Sequence, residues 1–600
     1  MMKPLFVAVA TATLAVAGSI KDVEHIVLFM QENRAFNHYF GTMAGVRGFK
    51  DPNVQISNGK PVFYQDVNST MSTKTDYLLP FYLNEKGGKW LEATQCMAAG
   101  SNSWQENQAA LNHDLNNQWA IANTPWSWGY YKKSDLPNHF AIAEGWAVGD
   151  MYQQSVIAST NPNRVSWVSG TINAPGSPQS PDEGGMYIDN SETPGCEEPG
   201  LNCYPLKWKT TPEIYEDAGI SWQVYQDTDN FDDNPLAWFQ QFQKAKNGSA
   251  LSDKGMAYVG LEKFYEDAAA GTLPEISYIV GPAELSEHPP YTPKDGAWLQ
   301  QKIVDVVTAS PLYNSTVLII SYDETGGWGD HVVPFHSPPG TAGEWVEDPY
   351  AEEGNVYTGP GFRLPFYIIS PWTRGGNVYV EHADHSSQIK FVEEVYAAKG
   401  KDIKSPEIPA WRRANMADLT AAFDFENPDY SIPSMPNATY PSTDNKGQWN
   451  GYAVCESTYA HTRPPVPYGK QSEATSLATE DGFKVVRGQL TEGRYLVFAM
   501  NGFALSSSSG QLSASKASSQ HNDKSQRFVI TGDSGSFTLT GADGKAVSGS
   551  ATYTITDLGN GQGYSIKTSN GQYLAINKKG KTTMGKTAKG FAVFSVTYSD

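Results

Sequence analysis

Long apolar runs, cysteines and cationic side chains are all scarce in this 600-residue sequence. Beyond the N-terminal segment no stretch approaches the roughly 20 apolar residues that cross a bilayer, which excludes a polytopic membrane protein. Four cysteines are too few to hold so long a chain together, so packed cores must do so, in at least two domains. Asp and Glu number 64 against 44 Lys and Arg, for a net charge of −20, which argues against a nucleic-acid partner.

The N-terminus is the one long apolar segment, and it has the form of a secretory signal peptide. Lys3 provides a positive start, an apolar stretch follows from residue 5 to 17, and Ala15-Val16-Ala17 is a small-residue cleavage pattern. The alternative is a membrane anchor, but charges end the apolar run at Lys21, Asp22 and Glu24. We therefore expect residues 1–17 to be removed and the protein to be secreted, either free or held in the cell wall.

Glycosylation sequons are consistent with export. Four Asn-X-Ser/Thr patterns occur, at Asn68, Asn247, Asn314 and Asn437. In an exported chain the four cysteines are expected to pair, and three pairings are open to them. The short separation of Cys196 and Cys203 favours a local bridge, which leaves Cys96 with Cys455.

The chain divides at a proline-rich stretch. Residues 461–480 begin "HTRPPVPYG" and continue small and polar, as a linker does. Residues 481–600 alternate in twos between Asn-Gly, Asp-Gly and Ser-Gly turns, which predicts an all-β domain, either trefoil-like or a sandwich. This domain carries thirteen Lys and Arg against seven Asp and Glu, a net charge of +6.

Residues 18–460 have the pattern of a layered α/β domain. Short runs that are apolar on both faces predict central strands, at 25–30, 276–280, 317–322 and 366–370. Apolar residues at helical spacing predict helices at 296–310 and 386–400. The alternation of the two predicts a sheet covered by helices on both faces, with functional loops at the carboxyl ends of the strands.

Two of these strands run directly into acids. Glu32-Asn33 follows the first strand and Asp323-Glu324 follows "VLIISY". Polar residues after a strand ordinarily form a turn with solvated side chains. If the two strands are parallel neighbours, however, their ends bring Glu32-Asn33 and Asp323-Glu324 together. Crowded carboxylates repel unless protons or a cation intervene. We therefore expect a divalent metal, with Ca²⁺, Mg²⁺, Mn²⁺ and Zn²⁺ all open.

Thr160 precedes Asn161-Pro162 in "STNPNR", where a helix is expected to begin. A threonine there can simply cap the helix. Its hydroxyl would also meet the positive end of the helix dipole, and a nearby metal would make it a nucleophile toward phosphate.

Several histidines lie in polar or Gly/Pro-rich stretches rather than on apolar faces: His113, His288, His331 and His385. One such residue alone is usually a structural hydrogen-bonding group. Several around one acidic cluster would bind phosphate oxygens or protonate a leaving group. Asp330 is expected to orient His331.

Three blocks together resemble the secreted phospholipase C and acid phosphatase family of phosphoesterases. They are "VEHIVLFMQENRAFNHYFGTMAGVRGF", "STNPNR" and "YDETGGWGDHVVPF", in the family's order, and the likeness runs from about 22 to 400. The first block looks more like the phospholipase C branch. The resemblance implies an alkaline-phosphatase-like α/β fold in which Glu32, Asn33, Asp323, Glu324 and Thr160 are the metal ligands.

The family likeness also implies roles and a reaction. Thr160 matches the nucleophile. His113, His288 and His331 match the residues that bind phosphate and transfer protons, and His385 is a further candidate phosphate-binding residue. The implied activity is hydrolysis of glycerophospholipids at membrane surfaces, to diacylglycerol and a phosphorylated head group, without nucleic acid or a stable protein partner. Two alternatives are a secreted acid phosphatase that uses the same residues on monoesters and, from another class, a non-catalytic secreted binding protein.

Overall fold

The computed structural model describes residues 18–179 and 184–599, so the predicted signal peptide at 1–17 lies outside it. Seven strands form the central sheet of the first domain: β1 His25–Gln31, β2 Ala147–Gly149, β3 Trp222–Gln226, β4 Ile276–Val280, β5 Thr316–Tyr322, β6 Phe366–Ile369 and β7 Val378–Tyr379. The four strands predicted from the sequence correspond to β1, β4, β5 and β6 and are confirmed.

The central sheet is mixed. Strands β3, β4, β1 and β5 lie side by side in that order and are parallel. β6 pairs antiparallel with β5 and with β2, and β7 pairs parallel with β2. Every residue of β4, β5 and β6 is buried, as expected for strands that are covered on both faces.

Thirteen α-helices surround the sheets within the described residues: α1 Phe36–Phe40, α2 Lys89–Gln95, α3 Trp104–Leu111, α4 Pro137–Gly145, α5 Thr160–Ser169, α6 Thr211–Asp217, α7 Gln240–Gln243, α8 Leu261–Ala270, α9 Pro293–Ala309, α10 His385–Ala398, α11 Ala410–Asn415, α12 Gly451–Tyr459 and α13 Glu473–Ser476. Two groups pack together, α4 and α8 against α9, and α6 and α10 against α5. α9 and α10 confirm the two predicted helices.

Residues 482–597 form the predicted all-β region. Its strands are β8 Gly482–Arg487, β9 Tyr495–Met500, β10 Phe503–Ser508, β11 Gln511–Lys516, β12 Phe528–Asp533, β13 Ser536–Gly541, β14 Thr552–Asp557, β15 Tyr564–Thr568, β16 Tyr573–Ile576, β17 Thr582–Gly585 and β18 Ala592–Thr597. They pair antiparallel, largely as successive hairpins, and β18 closes against β8 and β9. The predicted fold class, α/β followed by an all-β domain, is confirmed.

Short two-stranded ribbons complete the first domain, at Ile56–Ser57 with Lys60–Pro61, Gln65–Asp66 with Tyr77–Leu78, Phe81–Tyr82 with Gly129–Tyr130, and Trp345–Glu347 with Asn355–Tyr357. Both predicted disulfides are present, Cys96–Cys455 and Cys196–Cys203. All four sequon asparagines are exposed. Among the helices of the described residues, none has the length and apolarity needed to traverse a bilayer.

The all-β region is joined to the central sheet of residues 25–379 by strand pairing. β8 pairs parallel with β7, so the two sheets are continuous. Beside this junction the guanidinium of Arg494 donates to both carboxylate oxygens of Asp150, with 2.7 Å between Nε and Oδ2. Both side chains are at most 1% exposed. Asp150 also accepts from the backbone N–H of Arg47, so one buried carboxylate joins three segments of chain.

This ion pair makes the junction sensitive to single substitutions. Arg494→Ala should lower the free energy of unfolding by about 3–5 kcal/mol, because it leaves the Asp150 carboxylate buried and unpaired. Urea denaturation of the full chain measures the change. Lys60→Ala is the matched control: its partner Asp76 and its own side chain are 79% and 46% exposed, so a change below about 1 kcal/mol is expected. Equal effects of the two substitutions would show that the junction does not depend on Arg494.

Candidate active site

Two adjacent parallel strands bring the predicted acidic residues together. β1 and β5 pair in a register that places Gln31 opposite Tyr322, the last residue of each strand. The chain therefore leaves both strands at the same edge of the sheet. The four residues that follow are all buried there: Glu32, Asn33, Asp323 and Glu324.

Asn33 links the two strand ends by hydrogen bonds. Its backbone N–H donates to Oδ1 of Asp323 at 3.1 Å, and its side-chain Nδ2 donates to Oε1 of Glu324 at 2.7 Å. Gly326 turns the chain back with φ +67°, and a Cβ there would lie 2.2 Å from the carbonyl oxygen of Asn33. Only glycine fits this turn without displacing Asn33.

Helix α5 brings Thr160 and Arg164 to the same carboxylate. Thr160 is the first helical residue, after the N-cap Ser159, and its hydroxyl donates to Oε2 of Glu32 at 3.4 Å. One turn later Arg164 donates from Nη2 to Oε1 of Glu32 at 2.6 Å. Residues four apart share a helix face, so the "STNPNR" motif presents a hydroxyl and a guanidinium side by side.

Arg164 also binds a fourth carboxylate, which sequence reasoning did not identify. Its Nη2 lies 3.1 Å from Oδ2 of Asp233, and its Nε lies 3.3 Å from Oδ2 of Asp323. Asp233 comes from the loop after β3, a strand parallel to β4. The signal in the sequence was "WQVYQDTDNFDD", another apolar and aromatic run that ends in acids. Arg164 is the last residue of the "STNPNR" motif, but nothing in the sequence indicates its contacts with these acids.

Burial makes these carboxylates hard to ionise. Burial and the charge of Asp233 raise the pKa of Glu32 to about 8. Burial and the neighbouring Asp323 raise the pKa of Glu324 to about 8, and burial likewise raises the pKa of Asp233 to about 7. Burial next to Glu32 raises the pKa of Asp323 well above its usual range. Arg164 is the one cation in contact with Glu32, Asp233 and Asp323 among the described residues, so the cluster holds excess negative charge or excess protons.

The cluster fits a divalent cation. One oxygen from each of Glu32, Asp323 and Glu324 can be chosen so that all three lie within 4.8 Å of one another, in a fully buried group. Carboxylate, amide and hydroxyl oxygens are a donor set that suits hard cations. The Nη1 group of Arg164 is buried there without a hydrogen-bond partner among the residues that the structure describes, which is a further sign of a site built around a ligand.

Of the predicted histidines, His385 lies closest to these acids. Its Nε2 is 2.8 Å from the backbone oxygen of Asp323 and its Nδ1 is 2.8 Å from the Tyr152 hydroxyl. Burial lowers the pKa of His385 to about 4, so the ring is neutral. It therefore supports the backbone of a candidate metal ligand.

His331 and His113 have their hydrogen-bond and charged partners elsewhere. His331 is buried between Asn37, 2.6 Å from its Nδ1, and Asp51, 3.1 Å from its Nε2. The expectation that Asp330 orients His331 is wrong, because Asp330 pairs with the Arg363 guanidinium instead. His113 is exposed, and its Nε2 lies 3.4 Å from Oε2 of Glu353.

His288 follows a buried acid, Glu287, whose hydrogen bonds fix this part of the chain. The Glu287 carboxylate accepts from the hydroxyls of Tyr39 at 2.5 Å and Tyr322 at 2.9 Å. The backbone oxygen of Glu287 accepts from Arg34 at 2.6 Å. His288 is half-buried and its ring contacts Phe231, in the same loop as Asp233. Burial lowers the pKa of His288 below its usual value.

Comparison with known proteins identifies close relatives of this chain. The model of the phosphoesterase family matches residues 23–399. A non-hemolytic phospholipase C of Burkholderia pseudomallei is 33% identical over 491 residues, which cover 76% of this chain and 65% of that protein. A non-hemolytic phospholipase C of Pseudomonas aeruginosa is 35% identical over 465 residues, 75% of this chain and 63% of that protein. This chain thus spans just under two thirds of both.

Two further likenesses complete the comparison. Phospholipase C A of Mycobacterium tuberculosis is 33% identical over 449 residues, which cover 71% of this chain and 81% of that protein. Among solved structures, a protein of the alkaline phosphatase superfamily from Vibrio parahaemolyticus is similar at 12% identity. The match covers 66% of this chain and 76% of that protein's chain. Its TM-score of 0.26 is too low to bear on function.

The raised pKa values predict how the stability of the metal-free protein depends on pH. Between about pH 4.5 and 8 the folded protein keeps protons on Glu32 and Glu324 that the unfolded chain has released. Stability should therefore fall as pH rises through this window, by about 1.4 kcal/mol per pH unit for each proton involved. Thermal unfolding in chelator, from pH 5 to 9, measures the slope.

Glu32→Gln is the matched variant for this measurement, because it removes one titrating carboxyl and keeps its shape. We expect a shallower slope than in the unmodified protein. A divalent cation should also raise the unfolding temperature more at pH 8 than at pH 5, since its ligands must lose protons to bind it. A free energy of unfolding that rises steadily from pH 5 to 8 in chelator would contradict the raised pKa values of Glu32 and Glu324.

Proposed function

The chain belongs to the phosphoesterase family, and on that premise we propose that it is a phospholipase C whose nucleophile is Thr160. The proposal rests chiefly on one observation. Thr160 is the first residue of helix α5, and its hydroxyl donates to Glu32, which belongs to a buried cluster of four carboxylates. A hydroxyl in this position has a proton acceptor on one side and the positive end of a helix dipole on the other.

Five residues would hold a divalent cation in this site: Glu32, Asn33, Thr160, Asp323 and Glu324. When bound, such a cation polarises a phosphoryl oxygen and lowers the pKa of a coordinated hydroxyl. Around it, Arg164 keeps the carboxylates of Glu32 and Asp323 in place through hydrogen bonds of 2.6 to 3.3 Å. Asp233 in turn fixes Arg164.

The first chemical step is attack by Oγ1 of Thr160 on phosphorus. The hydroxyl proton passes to Glu32, a P–O bond to Thr160 forms, and the P–O bond to diacylglycerol breaks. The departing oxygen takes a proton from a histidine, for which His288 is the first choice and His331 the second. Because burial lowers the pKa of His288, the negative charge of the bound phosphodiester is needed to favour its protonated form.

The second step returns the enzyme to its starting state. The histidine that gave up its proton accepts one from water, and the oxygen of this water attacks phosphorus. The bond from phosphorus to Thr160 breaks, and Glu32 returns the proton to Oγ1. The products over both steps are diacylglycerol and a phosphorylated head group. His113 and His331 remain proposed phosphate-binding residues. His385 was the further candidate for that role, but both its ring nitrogens have partners, and we propose instead that it supports the site.

The relatives support a substrate class for the proposal. Proteins at 33–35% identity are named phospholipases C, which supports a glycerophospholipid such as phosphatidylcholine as the substrate of this chain. The partner would then be a membrane surface that presents this lipid. A phosphatase that acts on monoesters would use the same residues, so the substrate test below has to discriminate between the two.

Export of the protein is part of the proposal. Two disulfides in the described residues agree with an oxidising compartment. Four exposed asparagines in sequons are proposed glycosylation sites. Together with the signal-peptide pattern at residues 1–17, these features support a secreted, extracellular enzyme.

Substitution of Thr160 tests the mechanism. Thr160→Ala should lower kcat/KM on phosphatidylcholine by a factor on the order of 10³ or more, because no other group replaces the nucleophile. Thr160→Ser keeps a hydroxyl and should retain measurable turnover. Thr308→Ala is the control, since among the described residues this buried hydroxyl on α9 donates only to the backbone oxygens of Val304 and Asp305 in its own helix. Near-normal turnover by a folded Thr160→Ala protein would disprove the nucleophile.

The same protein tests metal and substrate. Chelation should abolish turnover, and restoring single cations should identify the metal. A kcat/KM higher on a simple phosphate monoester than on phosphatidylcholine would support the phosphatase alternative. Activity on neither substrate with any of the cations would support a non-catalytic binding protein.

A further inference from the structure

Two series of aromatic contacts reach the surface, and one of them starts at His288. Phe231 contacts His288 and Tyr291, each with ring centroids 5.5 Å apart, and Tyr291 contacts Tyr452 at 5.6 Å. Trp449, in the residues just before α12, contacts Trp298 at 5.9 Å, and Trp298 contacts Tyr440 at 5.2 Å. We call these six side chains the aromatic surface: Phe231, Tyr291, Trp298, Tyr440, Trp449 and Tyr452.

The outer part of the aromatic surface is open to solvent. Tyr440 is 61% exposed and Tyr452 is 44% exposed, and the other four rings are partly buried. Val454, 39% exposed, lies on the same helix as Tyr452. Exposing the apolar faces of neighbouring large rings to water is unfavourable, and a cluster of such rings is typical of an interaction surface.

The aromatic surface is held in place before any partner arrives. Helix α12, which carries Tyr452, is tied to the rest of the domain through the Cys96–Cys455 disulfide. The backbone N–H of Tyr452 donates to Glu284 at 3.0 Å. Trp298 lies on α9, which packs against the central sheet. A rigid surface loses little conformational entropy on binding.

We propose that the aromatic surface docks the protein on a zwitterionic phospholipid bilayer, an inference that rests on the proposed phospholipase C function. Tyr and Trp prefer the boundary between acyl chains and head groups, because each has an apolar ring and a polar group. The charge of the protein favours a zwitterionic bilayer over an anionic one. The nearby Lys294 is paired with Glu92, and the chain carries a net charge of −20.

Continuity with the candidate active site favours a lipid over a protein partner. Phe231 and Asp233 belong to one short loop, so the rings begin where the acidic cluster ends. A phospholipid whose phosphate entered the cluster beside His288 would keep its acyl chains in the bilayer on which Tyr440 and Tyr452 rest. Its phosphodiester would thus reach Thr160 while the acyl chains remain in the bilayer.

The double substitution Tyr440→Ser and Tyr452→Ser in the full chain tests the proposal. Sedimentation with phosphatidylcholine vesicles should show binding weakened by about tenfold or more, and turnover on these vesicles should fall in parallel. Turnover on a short-chain phosphatidylcholine, dissolved as monomers, should stay within about twofold. Tyr258→Ser is the matched control, since Tyr258 is 59% exposed and outside the aromatic surface. All proteins are made in one host and compared with and without deglycosylation, because the proposed glycosylation site Asn437 is three residues before Tyr440.

The outcomes distinguish a failure of the docking inference from a failure of the proposed function. Unchanged vesicle binding by the double variant overturns the docking inference, even if both substrates are hydrolysed. Vesicle binding that depends on Tyr440 and Tyr452, without hydrolysis of any phospholipid by the unmodified protein, supports docking and overturns the proposed function. A dimer of the unmodified protein that the double substitution converts to a monomer would identify the surface as a contact between two copies and overturn the docking inference.

Discussion

The constraint on which the candidate site depends is the burial of four carboxylates around one guanidinium. Isolated ionised groups are expensive to remove from water, and like charges at this distance oppose each other. Arg164 offsets part of the charge through contacts with Glu32, Asp233 and Asp323. Protons or a divalent cation must offset the rest. The site is therefore a balance of charges, in which protonation and metal binding compete for the same oxygens.

The fold holds these charges together because β1 and β5 are paired up to the residues that directly precede the acids. The pairing of β1 with β5 is parallel over seven residues and almost wholly buried, so Glu32 and Asp323 cannot separate without disrupting the sheet. Amide groups then hold the carboxylates. Glu324 accepts from Asn33 and from Asn102, and from the backbone N–H of Gly326. Hydrogen bonds of this kind favour the charged form and keep the oxygens oriented.

The parts of the site that the sequence predicted are those governed by strand geometry. Two apolar runs followed by acids were enough to place Glu32 and Asp323 together, because parallel strands share a carboxyl edge. Thr160 followed from the start of a helix. Asp233 was not predicted, since its position depends on how an irregular loop folds back after β3. The same limit applies to the histidines: His331 packs against Asp51, nearly three hundred residues away, and no local pattern indicates such a contact.

The loop after β3 connects the acidic cluster with the aromatic surface. Phe231 and Asp232 both have positive φ, 57° and 56°, a conformation that is uncommon for residues other than glycine. This turn directs Phe231 toward the rings at the surface, while Asp233 reaches inward to Arg164. Strained backbone persists only where the surroundings enforce it, and here both neighbours do so. A displacement of the rings would therefore move Asp233, and with it the guanidinium that holds Glu32 beside Thr160.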